Sequence, residues 1–172
     1  MYQVDKKDKV IELKNIPQSS VGVPMPIVLS DEHHTLIAYL LDYEPNWNNP
    51  TSADFERIGE PIAIVEFNFR HSLMFGSPND EAFNGHPLYE RGLRPYKVFE
   101  IENSSWIRSL EQMNSVHERH NPVGFEKYKH FVFAFHDSTF ECVAESFDVS
   151  IHEGSLKSAV TEMQKKLFSK FN

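Results

Sequence analysis

Cysteine is nearly missing from this 172-residue chain; Cys142 is the only one. A lone thiol cannot close an internal disulfide, so the fold must rest on its core, and a reducing cytoplasm is the simplest compartment to expect. Glycine is sparse at seven residues, and none are arranged as the phosphate-cradling loops G-x-x-x-x-G-K-[ST] or G-x-G-x-x-G; C-x-x-C and G-x-S-x-G are missing as well. Several large enzyme classes are thereby removed, though not enzymes as such. Positive charge is short too. Seventeen Lys/Arg against 25 Asp/Glu leave a net charge of −8, the opposite of the basic footprint that nucleic-acid binding needs. Long apolar runs are also lacking. The longest, "LIAYLL" at 36–41, is far too short to cross a bilayer, and "MYQVDKKDKVIELKN" has no apolar core of a signal peptide. Neither nucleic acid nor a membrane is therefore expected as a partner.

What the chain does have is aromatic mass, with 14 phenylalanines. Its length fits a single globular domain, 1–172, able to bury about two-thirds of its unfolded surface. Residues 10–16, 27–29, 34–42, 62–70 and 96–102 read as strands. In "IAIVEFNFR", Ala63, Val65, Phe67 and Phe69 share one face and Glu66, Asn68 and Arg70 the other. "HTLIAYLLD" is apolar on both faces, as a central strand is. The period changes after Asn103 or Ser104, either of which can cap a helix whose stripe is Trp106, Leu110, Met113 and His117. Leu156, Val160, Met163 and Leu167 repeat at helical spacing near the end. The expected fold is α+β, a mainly antiparallel sheet with two or three helices and two long irregular segments. A loop rich in Pro, Asn and Ser is expected over 43–61.

"FAFHDSTFECVAE" (133–145) alternates, breaks at His-Asp-Ser, and resumes around the cysteine. A two-residue turn at Asp137-Ser138 pairs Phe135 with Phe140, Phe133 with Cys142 and Phe131 with Ala144 on one face, and puts His136 and Glu141 on the other. In that register Cys142 is a core residue, turned away from the only nearby base. Beyond it the apolar parity moves from even (Phe140, Cys142, Ala144) to odd (Phe147, Val149, Ile151), so a bulge or strand break is expected near Glu145-Ser146.

The two irregular segments are 76–95 and 117–129. In the first, Ser77, Pro78, Asp80 and Glu81 spell a helix start and Asn84-Gly85 a stop, with His86 held extended before Pro87. Both segments carry too many large apolar residues for disorder, and the plain expectation is a lid over the sheet. Five of the six arginines (70, 91, 94, 108, 119) and five of the nine histidines fall within 70–130, so an anion site is to be sought there. Four stretches together, "SVGVPMPIVLSDE", "FGSPNDEAFNGHPLYERGLRPY", "IENSSWIRSLEQMNSVH" and "HFVFAFHDSTFECVAESF", resemble an uncharacterised family of small bacterial proteins. The resemblance covers most of the chain beyond the first twenty residues. It implies a bacterial single-domain protein and no activity, cofactor or site residue.

The leading expectation is a non-catalytic binding module. A cleft formed by 76–95 and 117–129 would take a small anionic ligand or a protein partner through His86, Arg91, Arg94 and Arg119, with no cofactor. An alternative is a metal-assisted hydrolase. His117 and His120 in "HERH", with His86, His136 and Glu141, would supply ligands for a divalent metal, which needs three such groups and an open position. A second alternative is an acidic immunity-type protein that meets a basic partner through its negative surface.

Overall fold

Stretches in which apolar and polar residues alternate, such as 146–151, become strands. The computed structural model describes residues 2–42 and 61–169; the loop expected over 43–61 lies outside them except for its last residue, Pro61. Among the described residues, nine strands and two α-helices follow in order: β1 (Lys9–Glu12), β2 (Ile27–Ser30), β3 (Thr35–Leu40), β4 (Pro61–Asn68), β5 (Ser72–Gly76), β6 (Val98–Glu102), α1 (Ser105–Asn114), β7 (Lys129–Ala134), β8 (Thr139–Ala144), β9 (Ser146–Glu153) and α2 (Leu156–Ser169). All pairing is antiparallel, in one sheet ordered β1-β6-β7-β8-β5 and another ordered β2-β3-β4-β9. The α+β expectation holds, with two sheets in place of one.

The sheets face each other across an aromatic core. Ile37, Tyr39, Ala63, Val65 and Phe67 meet Val98, Phe131, Phe133, Phe135, Phe140, Cys142 and Ala144. Phe67 lies at its centre, with ring centroids 5.3–6.1 Å from Phe131, Phe133, Phe140 and Phe147. Outside the four-stranded sheet, Leu36, Ala38, Leu40, Ile62 and Ile64 pack against Ala159, Met163 and Leu167 of α2, which is why β3 is apolar on both faces. Outside the five-stranded sheet, Phe99, Ile101, Val132 and Ala134 are covered by Phe83, Leu88 and Leu93. Segment 76–95 is thus a lid, as its apolar content requires.

Three local readings change. The hairpin loop runs over 135–138, closed by the Phe135 amide donating to Ser138 O at 2.9 Å, and the pairs are Ala134↔Thr139, Phe133↔Phe140 and Phe131↔Cys142. The register is two residues away from the one expected for a two-residue turn. A shift of two preserves every face, so Cys142 is fully buried in the aromatic core, and burial pushes its thiol pKa well up. The helix expected from Pro78 is only a 3-10 turn at Phe83–Gly85. The backbone upstream is committed elsewhere: the Asp80 amide donates to His136 O at 2.8 Å and Thr139 Oγ1 donates to Pro78 O at 2.9 Å. Finally, α1 starts at its Ser104 cap, which accepts from the Ile107 amide, but ends at Asn114. Met113 is 69% exposed and His117 lies beyond the helix, so of the expected stripe only Trp106 is buried and Leu110 is half-buried.

The parity change is a corner. Glu145 is the bend at which the chain leaves β8 in one sheet and enters β9 in the other. Its neighbour turns the same corner from β4 to β5. The pairs Asn68↔Ser146 and Ser72↔Val143 leave three residues, 69–71, on one chain against two, 144 and 145, on the other. The extra residue makes a bulge, which bends the pair and re-aims side chains.

Candidate functional site

The bulge determines what its three residues do. Phe69 takes φ +51° and is 71% exposed, so it leaves the inward face it was expected to share with Phe67. A bulky residue in the left-handed region is strained. Arg70 turns toward the open end of the sandwich and donates from Nη2 to the carbonyl of Asp31, in the β2–β3 turn. Its Nε is buried without a hydrogen-bond partner. His71 anchors its backbone to Val143 O at 2.7 Å and packs its ring on Phe125 and Tyr128. Burial, with the Arg70 charge beside it, lowers the His71 pKa.

A concavity of about 530 Å³ opens here, lined by His33, His34, Asn68, Phe69, Arg70, Lys127, Tyr128 and Glu145. Its charges do not cancel. Lys127 Nζ pairs with Glu145 at 2.5 Å. The Asp31 carboxylate accepts the amides of His33 and His34 at 2.7 Å each, and those bonds hold its pKa down at about 2. Arg70, half-buried, has no carboxylate within pairing distance among the described residues. A guanidinium has five donors, and burying a cation without a counter-charge is costly. The side chains lining the concavity thus carry one more positive charge than negative, Arg70 and Lys127 against Glu145, with the ionised Asp31 carboxylate just outside it, in a molecule of net charge −8.

The expected site residues are dispersed. His86, part of the lid, is turned inward and 3% exposed. Its Nδ1 accepts from the Leu88 amide at 3.2 Å, so Nε2 carries the proton and faces Glu141 Oε1 at 3.3 Å. His130 faces Glu141 Oε2 at 2.9 Å, with its Nδ1 on Ser104 Oγ at 2.9 Å, and Tyr2 O–H donates to the same oxygen at 2.6 Å. Burial opposes ionisation of Glu141, but the bonds from His130 and His86 outweigh it and hold the carboxyl at about 2. Arg91 and Arg119 are exposed. Arg94, also exposed, binds the carbonyls of Tyr89 and Leu93. None of these three reaches buried His86.

The metal-ligand set does not converge either. Only His86 and Glu141 meet. His136 has Nδ1 on Asp80 at 3.1 Å and on Tyr96 Oη at 3.0 Å, His120 lies against Glu111 and Asn114, and His117 is exposed. Among the described residues no group of three His, Cys, Asp or Glu has the geometry to hold a metal ion. A groove of about 690 Å³ does border segment 117–129, but its other wall is α1 with β6, and it takes no residue from 76–95. Its lining mixes Lys7, Arg108 and Lys129 with Glu100, Glu102, Glu111 and Glu126, which does not favour an anion.

Sequence reasoning overlooked Tyr2 and His130, which reach Glu141 across long chain separations that no local pattern encodes. It left Arg70 within the arginine-rich stretch without singling it out; the parity break at Glu145 was the available signal, since it marked the corner that Arg70 shares. No helix among the described residues is long and apolar enough to cross a membrane. Comparison with known proteins returned no matching family model, no matching curated protein and no matching solved structure.

Proposed function

We propose that the protein is a binding module that recognises a small anionic ligand, a carboxylate or phosphate, at the corner concavity through Arg70, with Lys127 as the second cation. The observation that carries this reading is the half-buried Arg70 guanidinium with an unpartnered Nε. Its neighbouring acids are engaged elsewhere, Glu145 by Lys127 and Asp31 by backbone amides. A planar fork with spare donors suits carboxylate and phosphate alike. Phe69 and Tyr128 add apolar walls of the kind small-molecule sites use.

Titration of the full chain with inorganic phosphate and, separately, acetate tests this, followed by amide chemical shifts. Saturable shifts at 69–71 and 127–128 are expected, and the stronger of the two probes names the anion class. Arg70→Gln should weaken binding at least tenfold, about 1.4 kcal/mol, while Arg91→Gln on the lid leaves it unchanged. Binding by neither anion, or binding that survives Arg70→Gln intact, sinks the proposal.

A further inference from the structure

On the far side of the molecule, β9, a tight turn and α2 assemble three side chains that the anion site does not use. Ser158 Oγ lies 2.7 Å from His152 Nε2, and His152 Nδ1 lies 2.7 Å from Glu162 Oε2. The carboxylate accepts the Nδ1 proton, which leaves Nε2 as the acceptor facing the hydroxyl; this is the hydrogen-bond order of a nucleophilic serine triad. Chain geometry explains how neighbours achieve it. Ser158 and Glu162 are one helical turn apart on α2, and the turn at Gly154-Ser155 brings the end of β9 alongside.

Gly154 supplies a second observation. A Cβ at this position would stand 2.8 Å from Ser158 Oγ and 3.0 Å from His152 Nε2, and its φ of +153° already disfavours any other residue. The space against the Oγ–Nε2 pair is therefore kept open. His152 is shielded, with its side chain 17% exposed, whereas Ser158 is exposed to solvent. The hydroxyl also has the Ser155 carbonyl within 2.8 Å, so its one proton has two acceptors in reach. The Leu156 and Lys157 amides, in the same first turn, have no i−4 carbonyl to serve and are at the positive end of α2.

We propose that Ser158 and His152 form a second, catalytic centre, positioned by Glu162, that acts on small unhindered acyl esters. Ser158 Oγ bonds to the acyl carbon while its proton passes to His152 Nε2. The ester C–O bond then breaks, and that proton leaves with the alcohol. Water attacks the acyl-serine, gives a proton to Nε2, and releases the carboxylic acid as the proton returns to Oγ.

Incubating the full chain with a fluorophosphonate, with intact-mass and peptide analysis, reads this directly. One adduct per chain on Ser158 is expected, with its rate falling at least tenfold in His152→Gln. Glu162→Gln should slow labelling and Glu162→Asp should restore part of it, a rescue that a purely structural carboxylate would not give. Ser158→Ala, a surface change that leaves the fold intact, should abolish the adduct and the turnover of 4-nitrophenyl acetate. No adduct on Ser158, or one whose rate ignores His152→Gln, overturns the proposal.

Discussion

Glu141 is an ionised carboxylate inside a sheet face, and it is tolerated because His86, His130 and Tyr2 all point donors at it. Its pKa falls from the ordinary 4.5 to about 2. The folded chain thus binds this proton less readily than the unfolded chain does. Its contribution is fully present above about pH 4.5 and is lost as pH falls toward 2. Replacing it by Gln puts amide hydrogens against imidazole N–H groups, so Glu141→Gln should destabilise by about 3–5 kcal/mol at neutral pH. Urea titrations at several pH values should show the gap between variant and parent narrowing from pH 4.5 to 2. Alternation around Cys142 made it legible that Glu141 and His136 point away from the thiol. The partners of Glu141 were illegible, because a hydrogen bond across 139 positions leaves no trace in local spacing.

Elements were more readable than residues. β3 and α2 followed from apolar patterning alone, β3 because it is buried on both faces and α2 because it buries one continuous stripe. The helix expected at 78–85 had every local start and stop signal and still did not form, because the Asp80 amide serves His136 in the β7–β8 loop and the Pro78 carbonyl serves Thr139 of β8; tertiary bonds overrode propensity. The two helices also differ in how far packing holds them. Met163 of α2 is fully buried against β3 and β4, while Met113 near the end of α1 is 69% exposed. Met163→Ala should cost roughly 2–5 kcal/mol, and Met113→Ala should stay within about 0.5 kcal/mol. Chemical denaturation of both variants checks the contrast.

For the whole molecule, the sequence announced antiparallel strands but not how they divide between two sheets, because a strand's alternation is the same whichever sheet it joins. The exception was the parity break before β9, which marked the crossing. Phe67 stands where both sheets meet, so Phe67→Ala, at roughly 3–5 kcal/mol, should lower hydrogen-exchange protection in β3 and in β8 by the same factor; loss confined to the strands around β3 would contradict a shared core. The corner has a mechanical side as well. β4 runs on into β5 and β8 into β9, so two covalent ribbons, hydrogen-bonded to each other on both sides of the bend, are stitched through both layers. Tension applied to one layer's rim is carried along those ribbons to the other. Neither layer can be peeled away singly, and a pulling experiment should meet one rupture event for the sandwich instead of two.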